Sequence, residues 1–236
     1  MYKDKKILAI IPARGGSKRL PKKNLLPLDG TPLIGWSIEE ARRSKYIDTL
    51  IVSTDSTEIQ EVAHAFGAQT PFLRPSELAA DDTRSIDVVI HAIEFYGAQK
   101  YDYVILLQPT SPLRDVDDID SAIEYFFEKE ATSVIGVCEV EHSPLWSNTL
   151  DETKSMDNFL DQKYNNARSQ DLPVYYRING AFYMSKVDSV LKNETFFVTH
   201  DIYAHIMSQE HSVDIDTFID FTTAEAILKQ KANNNG

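Results

Sequence analysis

A single cysteine, Cys138, stands in 236 residues, so no intrachain disulfide can form. No second thiol or Cys/His cluster has the spacing of a zinc site, and a reducing, intracellular compartment is expected. Long apolar runs are missing as well. No stretch of about 18 apolar residues occurs, and Met1-Tyr2-Lys3-Asp4-Lys5-Lys6 leads directly into a strand too short for the apolar region of a secretory signal. Neither membrane insertion nor secretion is expected, and the location is expected to be cytoplasmic. Positive charge is scarce: 24 lysines and arginines face 36 aspartates and glutamates, a formal charge of −12. That balance disfavours nucleic acid or an anionic membrane as the main partner. Both familiar glycine-rich phosphate signatures are absent. There is no Gly-x-x-x-x-Gly-Lys-Ser/Thr, and the adjacent Gly15 and Gly16 cannot build Gly-x-Gly-x-x-Gly. Internal repeats are lacking too.

Against this acidic background, residues 7–24 are an exception. Ile7 to Ile11 is short, continuously apolar and rich in β-branched residues, which predicts a first, central strand buried on both faces of a parallel sheet. Pro12, Gly15, Gly16 and Ser17 follow, with the cations Arg14, Lys18, Arg19, Lys22 and Lys23 close together. The glycines allow positive φ and close backbone approach. A basic turn leaving the carboxyl edge of a buried strand stands where open α/β folds bind ligands, and a polyphosphate suits it.

The rest of the chain alternates strand and helix signals. Thr31-Pro32 is a plausible helix start, with the hydroxyl as cap and proline at the first helical position. Thr49 to Thr54 reads as the second strand, followed by a helix over 57–66 that stops at Gly67. Asp55 between them either caps that helix or touches substrate or metal. Residues 69–74 suggest a short third strand ending in Arg74, and a helix is expected over about 85–97. Val104 to Gln108 is the fourth strand, Val116 to Glu130 an amphipathic helix, and Ser133 to Val140 a further strand. Residues 141–175 are polar, with Trp146, Tyr164 and Tyr175, and keep no clean period. A long irregular stretch in a compact domain is usually functional or an insertion. A buried strand follows Gly180, then a helix over about 186–192, and a last helix over 218–231 ahead of a frayed tail. The length allows one large α/β domain burying roughly 70–75% of the unfolded surface.

Ile-Pro-Ala-Arg-Gly-Gly-Ser-Lys-Arg-Leu-Pro-Lys-Lys-Asn at 11–24 resembles the signature of the acylneuraminate cytidylyltransferases, the CMP-sialic acid synthetases and their relatives acting on other nonulosonic acids. Gln108-Pro109-Thr110-Ser111-Pro112-Leu113-Arg114, Arg177 to Tyr183, and Val213-Asp214-Ile215-Asp216-Thr217 follow in that family's order. The resemblance implies an α/β, Rossmann-like nucleotidyltransferase sandwich with a mostly parallel sheet. It implies CTP and an acidic nine-carbon sugar as substrates and Mg²⁺ or Mn²⁺ as cofactor. It also implies a homodimer held through 141–175, an antiparallel insert reaching the partner's site. Arg14, Ser17, Lys18, Lys23 and Asn24 would grip the triphosphate, Arg74, Thr83 and Ser85 would line the cytidine pocket, and Asn179 would also bind substrate. Gln108 and the Phe196-Phe197 pair would meet the sugar. Where the family has an arginine directly before Gln170, this chain has Ser169, with Arg168 one residue earlier.

Read from the residues alone, several of these positions keep a second meaning. Arg74 could be a surface arginine, Ser85 a helix N-cap, and Gln108 a tie for the Pro-rich turn. Adjacent aromatics in a strand point to opposite faces, so one of Phe196 and Phe197 belongs to the core. Period-two spacing puts Asp214 and Asp216 on one face of a strand, where their mutual repulsion calls for a cation; alternatively Asp216 caps the last helix. A synthetase for an eight-carbon sugar acid and a catalytically silent nucleotide sensor share the first loop. The sensor would not need the metal pair.

Overall fold

The computed structural model describes residues 4–234, and their secondary structure alternates as the sequence pattern requires. The strands are β1 (Ile7–Pro12), β2 (Pro27–Leu28), β3 (Thr31–Pro32), β4 (Thr49–Ser53), β5 (Tyr103–Leu106), β6 (Ser133–Glu139), β7 (Tyr176–Lys186) and β8 (Ile202–Ile206). The helices are α1 (Leu33–Arg43), α2 (Thr57–Ala65), α3 (Ser85–Tyr96), α4 (Val116–Glu128), α5 (Val187–Asn193) and α6 (Phe218–Asn234). Six strands form one sheet in the order β4-β1-β5-β7-β6-β8. Only β7 runs against the rest, wedged antiparallel between β5 and β6. Residues 69–73 extend the sheet beside β4 through two isolated parallel bridges rather than a full strand.

Strand β1 shows why the layers form. Its alternate side chains face opposite ways, so Ile7, Ala9 and Ile11 pack with α1, α2 and α4, while Leu8 and Ile10 pack with α3 and α5. Ile7 to Ile11 are all fully buried, and each large side chain contributes about 1.5–3 kcal/mol by leaving water. A charge at Ile10 would forfeit this and strand an ion in the core. A third cluster, centred on Leu28, Leu33, Leu113 and Ile215, docks α6 near the carboxyl ends of the parallel strands.

Three local expectations are corrected. Thr31-Pro32 does not begin α1. An Asp29-Gly30 turn, both residues at positive φ, folds Thr31–Pro32 back on Pro27–Leu28 as a small antiparallel ribbon, and the helix starts at Leu33 without a side-chain cap. The 213–217 segment is not a strand; it is anchored by one backbone bond from Ile215 N–H to the Thr110 carbonyl, 2.8 Å. The tail expected to fray from Lys229 is helical to Asn234, and residues 235 and 236 lie outside the described part.

Residues 141–175 hold three short 3-10 turns and, among the described residues, no strand. Tyr175 extends the β6–β7 pairing, its carbonyl accepting from the Val140 N–H at 2.9 Å, and loops join the turns over the rest. Leu150, Met156 and Val174 are exposed along it.

Candidate active site

The loops that leave β1 and β5 at their carboxyl ends, the loop ahead of α3 and the 213–217 segment enclose a cleft of about 360 Å³. One wall is cationic. Arg14, Ser17 and Lys23 reach it from the β1 loop, and Lys18 and Arg19 stand in an adjoining recess. The glycines serve this loop without left-handed backbone: neither Gly15 nor Gly16 has positive φ. Gly15 is needed for room, since a Cβ there would sit 3.0 Å from Ser56 Cβ, and its N–H donates to Asp55 at 2.9 Å. Asp55 is thus a brace for the loop. Ser56, not Asp55, caps α2, accepting the Ile59 N–H. Asn24 is buried and donates to the Arg14 carbonyl at 3.0 Å, fixing the turn from behind while lining the same cleft.

An anionic pair meets these cations. Asp214 and Asp216 both face the cleft, and the cap of α6 is formed without them. Thr217 and Asp220 exchange their side-chain and backbone bonds, so Asp216 is released from that role. Its carboxylate instead accepts from Lys23 at 3.0 Å and Arg19 at 3.2 Å. Lys23 also donates to the Ile215 carbonyl at 2.6 Å. Asp214 opens to the cleft but is crowded by protein on its other sides. That desolvation, with the charge of Asp216 added, holds its carboxyl above the usual carboxylate range, while Thr110 and Lys23 pull it down.

At the inner end, Arg74, Thr83 and Ser85 meet in the same cleft. Arg74 is 5% exposed, and neither its Nε nor its Nη2 has a hydrogen-bond partner. Its nearest anion is Asp55 at 3.8 Å. Burial lowers its guanidinium from the ordinary arginine value, with Asp55 opposing and Arg14 adding to the fall. Buried donors left unpaired mark a place for a ligand's acceptor. Ser85 is the first residue of α3 and makes no capping bond; Arg84 holds the cap position.

Gln108 lies where β5 ends, over Gly180. That glycine has φ +75°, and a Cβ there would stand 2.6 Å from the Gln108 amide oxygen. No other residue type could leave Gln108 where it is. Beneath it Arg114 is wholly buried, donating to the carbonyls of Ala181 (2.6 Å) and Gln108 (3.4 Å) and to Ser37 (2.9 Å). Burial lowers its guanidinium to about 10.

Four expected contacts are not brought into the cleft. Asn179 is buried, its amide spent on Ser212 and on the Ala181 N–H; it secures a β7 irregularity opposite Gly136. Phe196 and Phe197 lie in a loop, not a strand, yet still diverge: Phe196 is core and Phe197 is half exposed. Arg168 is exposed and paired with Asp171 at 2.8 Å across a 3-10 turn. Sequence reasoning missed Asp81, Thr110, Arg114 and Tyr183. Tyr183 packs against Phe196 and Phe197 at 5.6 and 6.4 Å, and burial, then Asp214, raise its phenol. The signal for it was its place on the strand after Gly180; nothing local marks Asp81.

This fold is shared with the solved structure of a CMP:2-keto-3-deoxy-manno-octonic acid synthetase complexed with CTP. That protein is 18% identical, with a TM-score of 0.72 over 96% of this chain and 99% of that one. A cytidylyltransferase family model matches residues 8–234. Pseudaminic acid cytidylyltransferase of Campylobacter jejuni is 37% identical, aligned over 95% of this chain and 97% of its own. CMP-N,N'-diacetyllegionaminic acid synthase of Legionella pneumophila is 35% identical over the same shares. The chain belongs to the cytidylyltransferase family and is a nucleotidyltransferase.

Proposed function

We propose that this chain transfers CMP from CTP to the anomeric hydroxyl of a nonulosonic acid, releasing pyrophosphate. The observation that carries this reading is one cleft that gathers Arg14 and Lys23 with Asp214 and Asp216. An acceptor that is itself an acid must approach a tetra-anionic nucleotide, which needs cations on the phosphates and a bridging charge beside them. Arg14, Ser17, Lys18 and Lys23 would hold the triphosphate. Arg74, with its unpaired buried donors, would meet the cytosine carbonyl beside Thr83 and Ser85. Gln108, set over Gly180, would orient the sugar, and the exposed Phe197 rather than Phe196 would offer it an apolar face.

The donor set suits Mg²⁺ or Mn²⁺: two carboxylates, hard oxygen donors, line one cleft beside the cations expected on phosphate. Asp214 and Asp216 would hold the ion, which would supply charge stabilisation at the α-phosphate. The protein's own residues position and neutralise: Lys23 would exchange Asp216 for phosphate, and Asn24 would keep the loop rigid.

We further propose a cytoplasmic location. No helix among the described residues is long and apolar enough to cross a membrane. We propose a homodimer through 141–175, supported by Leu150, Met156 and Val174 on a segment without a core, continuing to Tyr176 and Ile178. Pyrophosphate release from CTP over pseudaminic, legionaminic, N-acetylneuraminic and eight-carbon sugar acids tests the reading. Release with a nine-carbon acid supports it; release only with the eight-carbon acid, or with none, overturns it.

A further inference from the structure

The β1 loop already carries an anion. Asp81, on the loop ahead of α3, sets one carboxylate oxygen 2.8 Å from Arg14 Nη1 and the other against the Lys18 ammonium. Its carboxylate thus spans the boundary between the cleft and the adjoining recess, and both spaces are lined by it. The Arg14 guanidinium also donates to the Ala80 carbonyl at 3.2 Å, which draws the loop across the cations. Lys18 holds this carboxyl below the usual carboxylate range, with Arg14 contributing. No other acidic side chain contacts either cation among the described residues.

Resting on the nucleotide reading above, we infer that Asp81 is an internal phosphate substitute, seated on Arg14 and Lys18 until a polyphosphate displaces it and returning to help expel pyrophosphate. The loop is built to be displaced. Asp81 is about half exposed, as an exposed ion pair it is held weakly, and the bonds that shape its loop, Thr83 N–H to the Ala80 carbonyl and Thr83 hydroxyl to the Glu77 carbonyl, are both 3.3 Å. A phosphate carries more charge and more acceptor oxygens than a carboxylate, so it wins the same two cations. Once the pyrophosphate has lost its covalent tie to the nucleoside, the returning carboxylate competes with it at close range. The cost is paid in affinity and recovered in release.

The test is calorimetric titration of inorganic triphosphate and pyrophosphate, without divalent metal, into wild type, Asp81→Asn and Asp82→Asn. Asp82 is exposed and lies outside both spaces, so it controls for loss of one surface charge. Asp81→Asn should tighten both ligands by about three- to tenfold, the effect of removing two exposed competing pairs, and Asp82→Asn by less than about twofold. Stronger product inhibition by pyrophosphate should accompany this in turnover. Equal shifts in the two variants, or weaker binding by Asp81→Asn, overturn the role of Asp81 and leave the nucleotide reading intact. Triphosphate binding by none of the three proteins overturns the nucleotide reading itself.

Discussion

Lys23 and Asp216 meet at 3.0 Å across 193 residues of chain, joining the loop after the first strand to the segment before the last helix. Both residues line the cleft. Their pairing means that the cation expected on phosphate and the carboxylate expected on metal neutralise one another while the cleft is empty.

Replacing Lys23 by Ala should weaken CTP binding by about 1.5–3 kcal/mol, the range for a charge-assisted hydrogen bond. The loss is partly offset because Asp216 no longer competes. Calorimetric affinity equal to wild type within error would rule out a phosphate contact.

Arg114 should be structural, beneath the same cleft. Its guanidinium is buried and holds the Ala181 carbonyl, so Arg114→Met leaves acceptors unpaired in the core. A destabilisation of about 2–4 kcal/mol is expected, lowering Tm by roughly 5–15 °C for a domain of this size. Arg114→Lys should recover little, since one ammonium cannot replace the fork to Ala181, Gln108 and Ser37. Denaturant midpoints of both variants check this.

How far the sequence could lead depended on whether a residue's fate was local. Ile7 to Ile11 announced a strand buried on both faces because nothing but apolar side chains occupies it. The cationic loop was visible for the same reason. Thr31-Pro32 misled because the Asp29-Gly30 turn ahead of it took the pair into a ribbon. The direction of β7 is in no pattern, since period two reads alike both ways. Asp214 and Asp216 share a cleft as expected, but through an irregular segment held by Thr110, not through strand geometry. Asp81 became visible only when α3 and the β1 loop were seen side by side.

A pH test addresses the join between α4 and α6. His211 Nδ1 lies 2.7 Å from Asp118, near Asp115, and its Nε2 faces Lys231 at 2.9 Å. The bond to Asp118 raises the His211 pKa against burial and Lys231. Burial alone would raise Asp118, but the bonds from His211 and the Asp115 backbone outweigh it and lower the carboxyl. A raised histidine stabilises fully below its unfolded value, about 6.5, and the contribution fades as pH rises through the folded value. The lowered carboxyl stabilises above about 3.9 and fades as pH falls through its folded value. The Tm difference between wild type and His211→Asn should therefore be largest near pH 5–6 and shrink toward pH 9. A difference constant over that range would show that the histidine's charge contributes nothing.

Residues 141–175 carry a prediction about assembly. Sedimentation should give a dimer at assay concentration, and charges at Leu150 and Met156 should give a monomer whose fold is unchanged by circular dichroism. A fully active wild-type monomer would remove 141–175 from any role in assembly.

Asp214 and Asp216 should be required for turnover far more than for folding. Neither caps α6, because Thr217 and Asp220 already do, so converting either to Asn removes no bond of that helix. What each change removes is a hard oxygen ligand facing the cleft. With one or two carboxylates the usual protein share of a Mg²⁺ shell, loss of one should lower the rate by roughly two to three orders of magnitude, as for removal of a single electrostatic stabiliser elsewhere. The two variants should differ in detail. Asp216→Asn also weakens the hold on Lys23 and Arg19, which frees those cations for phosphate, so its CTP affinity should hold or rise while its rate falls. Asp214→Asn leaves both cations paired and should lower the rate without that gain. Measured turnover within about threefold of wild type for either variant at saturating Mg²⁺, with thermal stability unchanged, would remove the carboxylate pair from the chemistry.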